Sequence, residues 1–153
     1  VARVRTAGPE DTAFVASLVP RFVEHGLAGG HTREEIVSGT IVVLTAALRN
    51  ANPGELFLIA EDDDGTAAGF VFATTERDFF TGEPYLHVSE IATARSGGGI
   101  GGALMDAAER YARDRGYRIV TLNVIEENVG AQRFYARRAF VPGHRHLVKR
   151  LAP

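Results

Sequence analysis

Ser96-Gly97-Gly98-Gly99-Ile100-Gly101-Gly102-Ala103-Leu104 packs five glycines into six positions directly ahead of a segment with helical periodicity. Each glycine in ordered chain costs about 0.5–1 kcal/mol relative to alanine, so a cluster at a helix start calls for a compensating contact. Backbone N–H groups in the first turn of a helix lack intrahelical partners and carry the positive end of the helix dipole. Without side chains at Gly97, Gly98, Gly99, Gly101 and Gly102 those donors stand open to an anion, most often a phosphate. A flexible turn before a surface helix uses the same residues, so the flanking sequence has to decide.

Downstream, Ile100, Leu104, Ala107, Ala108 and Tyr111 form one apolar helix face, ended by Gly116, with Asp106, Glu109, Arg110 and Arg113 opposite. Residues 117–124 read as a strand and 129–138 as a helix. Phe140-Val141 and 146–151, around Pro142-Gly143, supply a last hairpin. Upstream, 85–93 reads as a strand, and 55–61 and 67–75 as two more joined by Asp62-Asp63-Asp64-Gly65, a turn that closes antiparallel hairpins. Residues 3–6 make a first strand, and Pro9-Glu10-Asp11 opens a helix with Phe14, Leu18 and Phe22 on one face. Pro20 predicts that this helix divides near Val19. Thr32-Arg33-Glu34-Glu35 is a capping box for a second helix reaching about Asn50, where Asn52-Pro53-Gly54 breaks it.

Strand, glycine turn, helix, strand is a crossover unit, which makes the strands flanking the glycines parallel neighbours. With the earlier antiparallel hairpin, the expectation is one α+β domain over residues 1–153, built on a mixed sheet. The ligand is expected at the strand end where the glycines lie.

Composition narrows the function classes. The chain has 153 residues, 45% hydrophobic and 24% charged, and a formal net charge of −2. No apolar run approaches the roughly 20 residues of a membrane span, and no general positive field favours nucleic acid. Neither a membrane nor a nucleic-acid partner is expected. Cysteine is absent, which removes disulfides, thiolate-bound zinc and a thiol nucleophile. The first six residues lack the apolar core of a signal peptide, and a cytoplasmic location is the expectation. The three aspartates lack the other ligands of a calcium loop, and His144 and His146 would need further partners to hold zinc. No metal is expected.

Three phosphate-binding chemistries compete for the glycines. A mononucleotide loop requires a lysine after the last glycine, and the sole lysine is Lys149. A dinucleotide fold puts its glycine fingerprint in the first crossover, whereas here an antiparallel hairpin comes first. The third is coenzyme A. Gly99-Ile100-Gly101-Gly102-Ala103-Leu104, followed by Leu122-Asn123-Val124, Asn128, Ala131, Phe134-Tyr135 and Phe140, resembles the consecutive motifs of the GNAT superfamily of acyl-CoA-dependent N-acyltransferases. The order and spacing agree over about residues 85–151, and more weakly over the first third. Three departures stand out. Ser96 occupies the place of the family's Gln or Arg, the connection before the glycines looks about two residues short, and Ala139 stands where Gly usually precedes the last Phe.

The resemblance implies a central, mostly antiparallel sheet with a splayed parallel pair, flanked by about four helices. It also implies acetyl-CoA as cosubstrate, an amine acceptor that is a small molecule or a peptide, and pairing of two copies through C-terminal strands. It assigns the diphosphate to Ser96, Gly97, Gly98, Gly99, Ile100, Gly101, Gly102 and Ala103, and further cofactor contacts to Asn128, Ala131 and Tyr135. A main-chain N–H within Ile91, Ala92 and Thr93 faces the acyl carbonyl. It places Tyr135 near the sulfur, as candidate proton donor, and an acid in the region of the preceding strand; Glu90 is the candidate base, acting directly or through water, with His87 able to share or take that task if a bulge realigns the strand. Phe22, His25, Phe79 and Phe80 lie in segments that would roof an acceptor.

An attacking amine must first lose its proton, which for a lysine-like group at neutral pH costs about 4.6 kcal/mol, so a nearby carboxylate is chemically apt. With neither cysteine nor a Ser-His-Asp set, transfer is expected to be direct, within a ternary complex. The alternative is a GNAT-like module that binds acyl-CoA without turning it over, as a sensor or interaction partner.

Overall fold

The computed structural model describes residues 2–153. Strands β1 (Arg3–Thr6), β2 (Leu56–Glu61), β3 (Ala67–Arg77), β4 (Pro84–Thr93) and β5 (Val120–Leu122) form a sheet in sequence order. The first four pair antiparallel, and β4 pairs with β5 in parallel. Four α-helices flank it: α1 (Thr12–Leu18), α2 (Arg33–Arg49), α3 (Ile100–Asp114) and α4 (Val129–Arg137). This is the mixed sheet with one parallel pair that the motifs implied.

Local chemistry explains most boundaries. Pro20 ends α1 at Leu18 and turns the chain into a 3-10 segment, Val19–Val23, because a proline ring cannot enter a continuing α-turn. Thr32 caps α2, its Oγ1 accepting the N–H of Glu35 at 3.1 Å. The aspartate turn closes β2 onto β3, with Asp62 N–H donating to Thr66 O at 2.9 Å.

Two apolar layers sandwich the sheet. On one face Val71, Leu86 and Val88 pack with Leu104, Met105 and Ala108 of α3. On the other, Ile59, Phe70, Phe72 and Ala92 pack with Val15, Val19, Leu44 and Leu48 of the N-terminal helices. Gly69 lets α3 come down onto β3: a Cβ there would meet Ile100 Cγ2 at 2.8 Å and Ala92 O at 2.9 Å.

Two expectations are corrected. The strand expected over 117–124 pairs only at Val120–Leu122, because β4 turns away after Val88. The C-terminal hairpin is absent, with no strand after β5 among the described residues. The tail instead crosses to the α1–α2 connection. Val148 fills the space beside Gly29 and Gly30, Arg150 donates to Gly30 O at 2.7 Å, and Arg145 stands 3.9 Å from Glu126. These contacts engage side chains along 145–150 and leave the backbone unladdered.

Candidate active site

The site is made by a one-residue insertion in β4. Val88 pairs with Ala73 and Glu90 with Phe72, leaving Ser89 as the extra residue of a bulge. Backbone direction reverses across it. Leu86 N–H donates toward β5, to Ile119 O at 3.1 Å, whereas Ala94 N–H, of the same parity, donates toward β3, to Ala68 O at 2.8 Å. The β4–β5 ladder stops at Val88 and Leu122, so beyond it the amides of Ile91 and Thr93 face an opened gap. The carbonyl of Thr93 accepts a hydrogen bond from the Arg21 guanidinium. Arg21, in the segment after α1, is a contact sequence reasoning did not anticipate.

Side chains reverse with the backbone. Leu86 and Val88 belong to the α3 layer, Ala92 to the α1–α2 layer, so Glu90 and His87 share the α2 side despite their opposite parity. Glu90 is raised to about 7, because burial disfavours its charged form. His87 is held below its ordinary value, mainly by burial with Glu76 opposing, and its Nδ1 lies 2.7 Å from Thr121 Oγ1. That bond ties β4 to β5 just before the splay.

Tyr135 stands on α4 between the rings of Phe134 and Phe140, at centroid separations of 5.2 and 5.7 Å. Burial, and then the charge of Glu90, push its phenol up to about 12. The Glu90 charge is thus felt at the Tyr135 phenol.

The glycine turn runs from the end of β4 into α3. Gly97, Gly98 and Gly99 have φ of 84°, 69° and 72°, three successive left-handed residues that only glycine adopts routinely. Among the described residues, the first amide here to find a protein acceptor is Ala103, donating to Gly99 O at 2.9 Å. A Cβ built at Gly97 or Gly99 would meet nothing within 4 Å. The cradle is open, with a row of free donors, and so fits a diphosphate. Ile100 anchors it, 2% exposed in the core, while Ser96 stays exposed; Gly101 and Gly102 are half-buried toward Phe134 and Arg138. Asn128 caps α4, its Oδ1 accepting the N–H of Ala131 at 3.1 Å. That consumes the Ala131 amide and leaves the Asn128 NH2 without a protein partner among the described residues.

A cavity of about 330 Å³ opens on the α2 side of the bulge, between Ser89 and Glu90 on β4 and His31, just before α2, with Glu35, Thr40 and Val43 on that helix. The four residues expected to roof an acceptor do not meet here. Phe22 packs edge-on against Phe70 in the core, His25 is exposed, and Phe79 and Phe80 stand at the β3–β4 tip, 93% and 89% exposed. Sequence reasoning missed the α2 wall. Its signal was Gly39, a costly mid-helix residue, whose missing side chain leaves open space on the cavity side. Among the described residues, no helix is long and apolar enough to cross a membrane, and no group of three or more His, Cys, Asp or Glu side chains is placed to hold a metal ion.

Residues 31–140 match the Acetyltransferase (GNAT) family. The chain belongs to this family. Mycothiol acetyltransferase of Stackebrandtia nassauensis is 29% identical over 137 residues, covering 87% of this chain and 42% of that protein; the chain thus spans less than half the length of this curated relative. Among solved structures, a ribosomal-protein-alanine N-acetyltransferase from Brucella melitensis biovar Abortus 2308 superposes with a TM-score of 0.72 at 19% identity, over 99% of this chain and 100% of that one. An aminoglycoside N-acetyltransferase in complex with CoA superposes with a TM-score of 0.70 at 18% identity, over 99% of this chain and 95% of that one. At such identities the superpositions establish a shared GNAT fold. In this GNAT chain the departure at residue 139 has a visible cost. Ala139 takes φ 66°, the one positive-φ position among the described residues that is not glycine.

Proposed function

We propose that this GNAT chain transfers an acetyl group from acetyl-CoA to a primary amine, by direct attack within a ternary complex. The observation that carries the proposal is the open cradle of free amides at 97–102 beside a strand gap flanked by Glu90 and Tyr135. When bound, acetyl-CoA supplies an acetyl thioester. The cradle, with Asn128, holds its phosphate and amide groups. The Ile91 amide, pointing into the gap, donates to the acyl carbonyl oxygen where negative charge develops. Glu90, titrating near 7, takes a proton from the incoming ammonium. As the N–C bond forms and the C–S bond breaks, Tyr135, protonated at neutral pH, would give its Oη proton to the leaving sulfur and regain one from the new amide nitrogen, so that the net proton released is the one on Glu90.

Titration calorimetry with acetyl-CoA tests the proposal, and binding is expected; no heat at millimolar ligand would remove it. Tyr135→Phe then separates an enzyme from a binding module. Turnover falls while acetyl-CoA affinity is kept if the phenol acts as acid, and equal turnover removes that role.

A further inference from the structure

The cavity against Glu90 has a second anionic group. Ser89 and Glu90 line it together with Ile36, Val43 and Leu44 and with Glu35 and His31 at the start of α2, so two carboxylates share one cavity with an apolar stretch in its lining. Glu35 lies in the first helical turn, where the helix dipole favours its charge, and a hydrogen bond from His31 together with Arg150 holds it below the usual carboxylate range. It is ionised at neutral pH.

The protein already brings a cation to this carboxylate. Arg150 of the C-terminal tail places Nη2 4.0 Å from Glu35 Oε1, while His31 Nδ1 lies 3.2 Å from Oε2. Arg150 is held there chiefly by something else: its Nη1 donates to Gly30 O at 2.7 Å, and Val148 seats the tail on Gly29 and Gly30. A loose pair between side chains 64% and 48% exposed is easily exchanged. A guanidinium can remain on Gly30 O while another cation takes the carboxylate.

We infer that Glu35 is the specificity-determining residue of the acceptor cavity, receiving a second, distal cationic group on the amine, so that the acceptor class is diamines and amines that carry a guanidinium. This rests on the acetyl-transfer reading. The reacting nitrogen meets Glu90, the carbon chain lies along the apolar stretch, and the distal cation replaces Arg150 at Glu35. A monoamine leaves the Glu35 end unused, and an acidic acceptor is repelled there.

Thiol release from acetyl-CoA, measured with a series of linear diamines and the monoamines of equal length, tests this. The native protein should favour the diamine in kcat/KM. Glu35→Gln should raise KM for the diamine about fivefold, the size expected of a half-exposed charge pair, with kcat and the monoamine KM unchanged. Glu35→Asp should recover part of the loss, and Arg150→Ala, which removes a competing cation from an exposed tail, should lower the diamine KM. If the native protein does not distinguish the two series, or Glu35→Gln weakens both equally, the inference fails and acetyl transfer stands. If no amine releases thiol although acetyl-CoA binds, the acetyl-transfer reading falls and takes the inference with it. Should Glu35→Gln melt at a lower temperature, Arg150→Ala decides, an unchanged diamine KM overturning the inference.

Discussion

Glu90 concentrates the chemistry of this protein in one half-buried carboxyl. Because burial raises it to about 7, the folded chain holds a proton that the unfolded chain, with an ordinary glutamate near 4.3, has already released. Stability therefore falls as pH climbs from the ordinary value through 7, while the proposed base becomes competent over the same interval. Glu90→Gln should remove both effects. The variant is expected to be more stable than the native protein at pH 8, by up to about 2 kcal/mol after allowing for partial access to water, and little different near pH 4. Denaturant midpoints at the two pH values check this. In turnover, the native rate should rise with a midpoint near 7, and the variant should lose that limb; a limb that persists would move the base elsewhere. Glutamate at 90 is visible in the sequence, but its environment is not. The bulge at Ser89 and the α2 wall half-bury it, and both depend on strands and helices distant in the chain.

The glycine turn and β4 make the site as a pair of elements. Three left-handed glycines hold the donors of 97–102 outward, and the bulge ends the β4–β5 ladder beside them. Gly99→Ala should separate binding from folding. A left-handed alanine costs about 1–2 kcal/mol of stability, while its methyl group enters the space a diphosphate would occupy. The expected result is a folded protein with a modestly lower Tm and acetyl-CoA affinity weakened about tenfold or more by calorimetry. Unchanged affinity would place the cofactor elsewhere. The turn was legible at sequence level, since few other roles justify five glycines at a helix start. The bulge was not, because β4 reads as an ordinary strand and the inserted residue emerges only from its register with β3. The C-terminal hairpin failed at this scale too: strand-like residues after Pro142-Gly143 find side-chain contacts on the α1–α2 connection in place of a ladder.

Across the whole molecule, one ionic group ties the sheet's first edge to the segment that leads into α1. Arg5 grips Asp11 in two hydrogen bonds of 2.9 and 2.8 Å and also donates to Glu61 at 2.5 Å, while Gly8 N–H donates to Asp11 at 2.9 Å. Asp11 is 5% exposed, and the Arg5 hydrogen bonds hold its carboxyl below the ordinary value although burial opposes this. Its contribution is therefore present above the unfolded-state value near 3.9 and lost as pH falls through the lower folded value. Asp11→Ala should cost about 2–3 kcal/mol at pH 7, and the gap to the native protein should narrow towards pH 3, as denaturant unfolding would report. A pH-independent gap would mean that packing dominates. The sequence by itself determined the element order, the crossover around the glycines, the helix caps and the likeness to acyl-CoA-dependent transferases, because each rests on short-range periodicity and residue chemistry. Only the tertiary structure decided which β4 side chains share a face, which carboxyl is buried, that α2 and not the aromatic loops lines the cavity, and where the tail lies. Register, burial and docking arise from contacts between residues far apart in the chain, and local preferences carry no record of them.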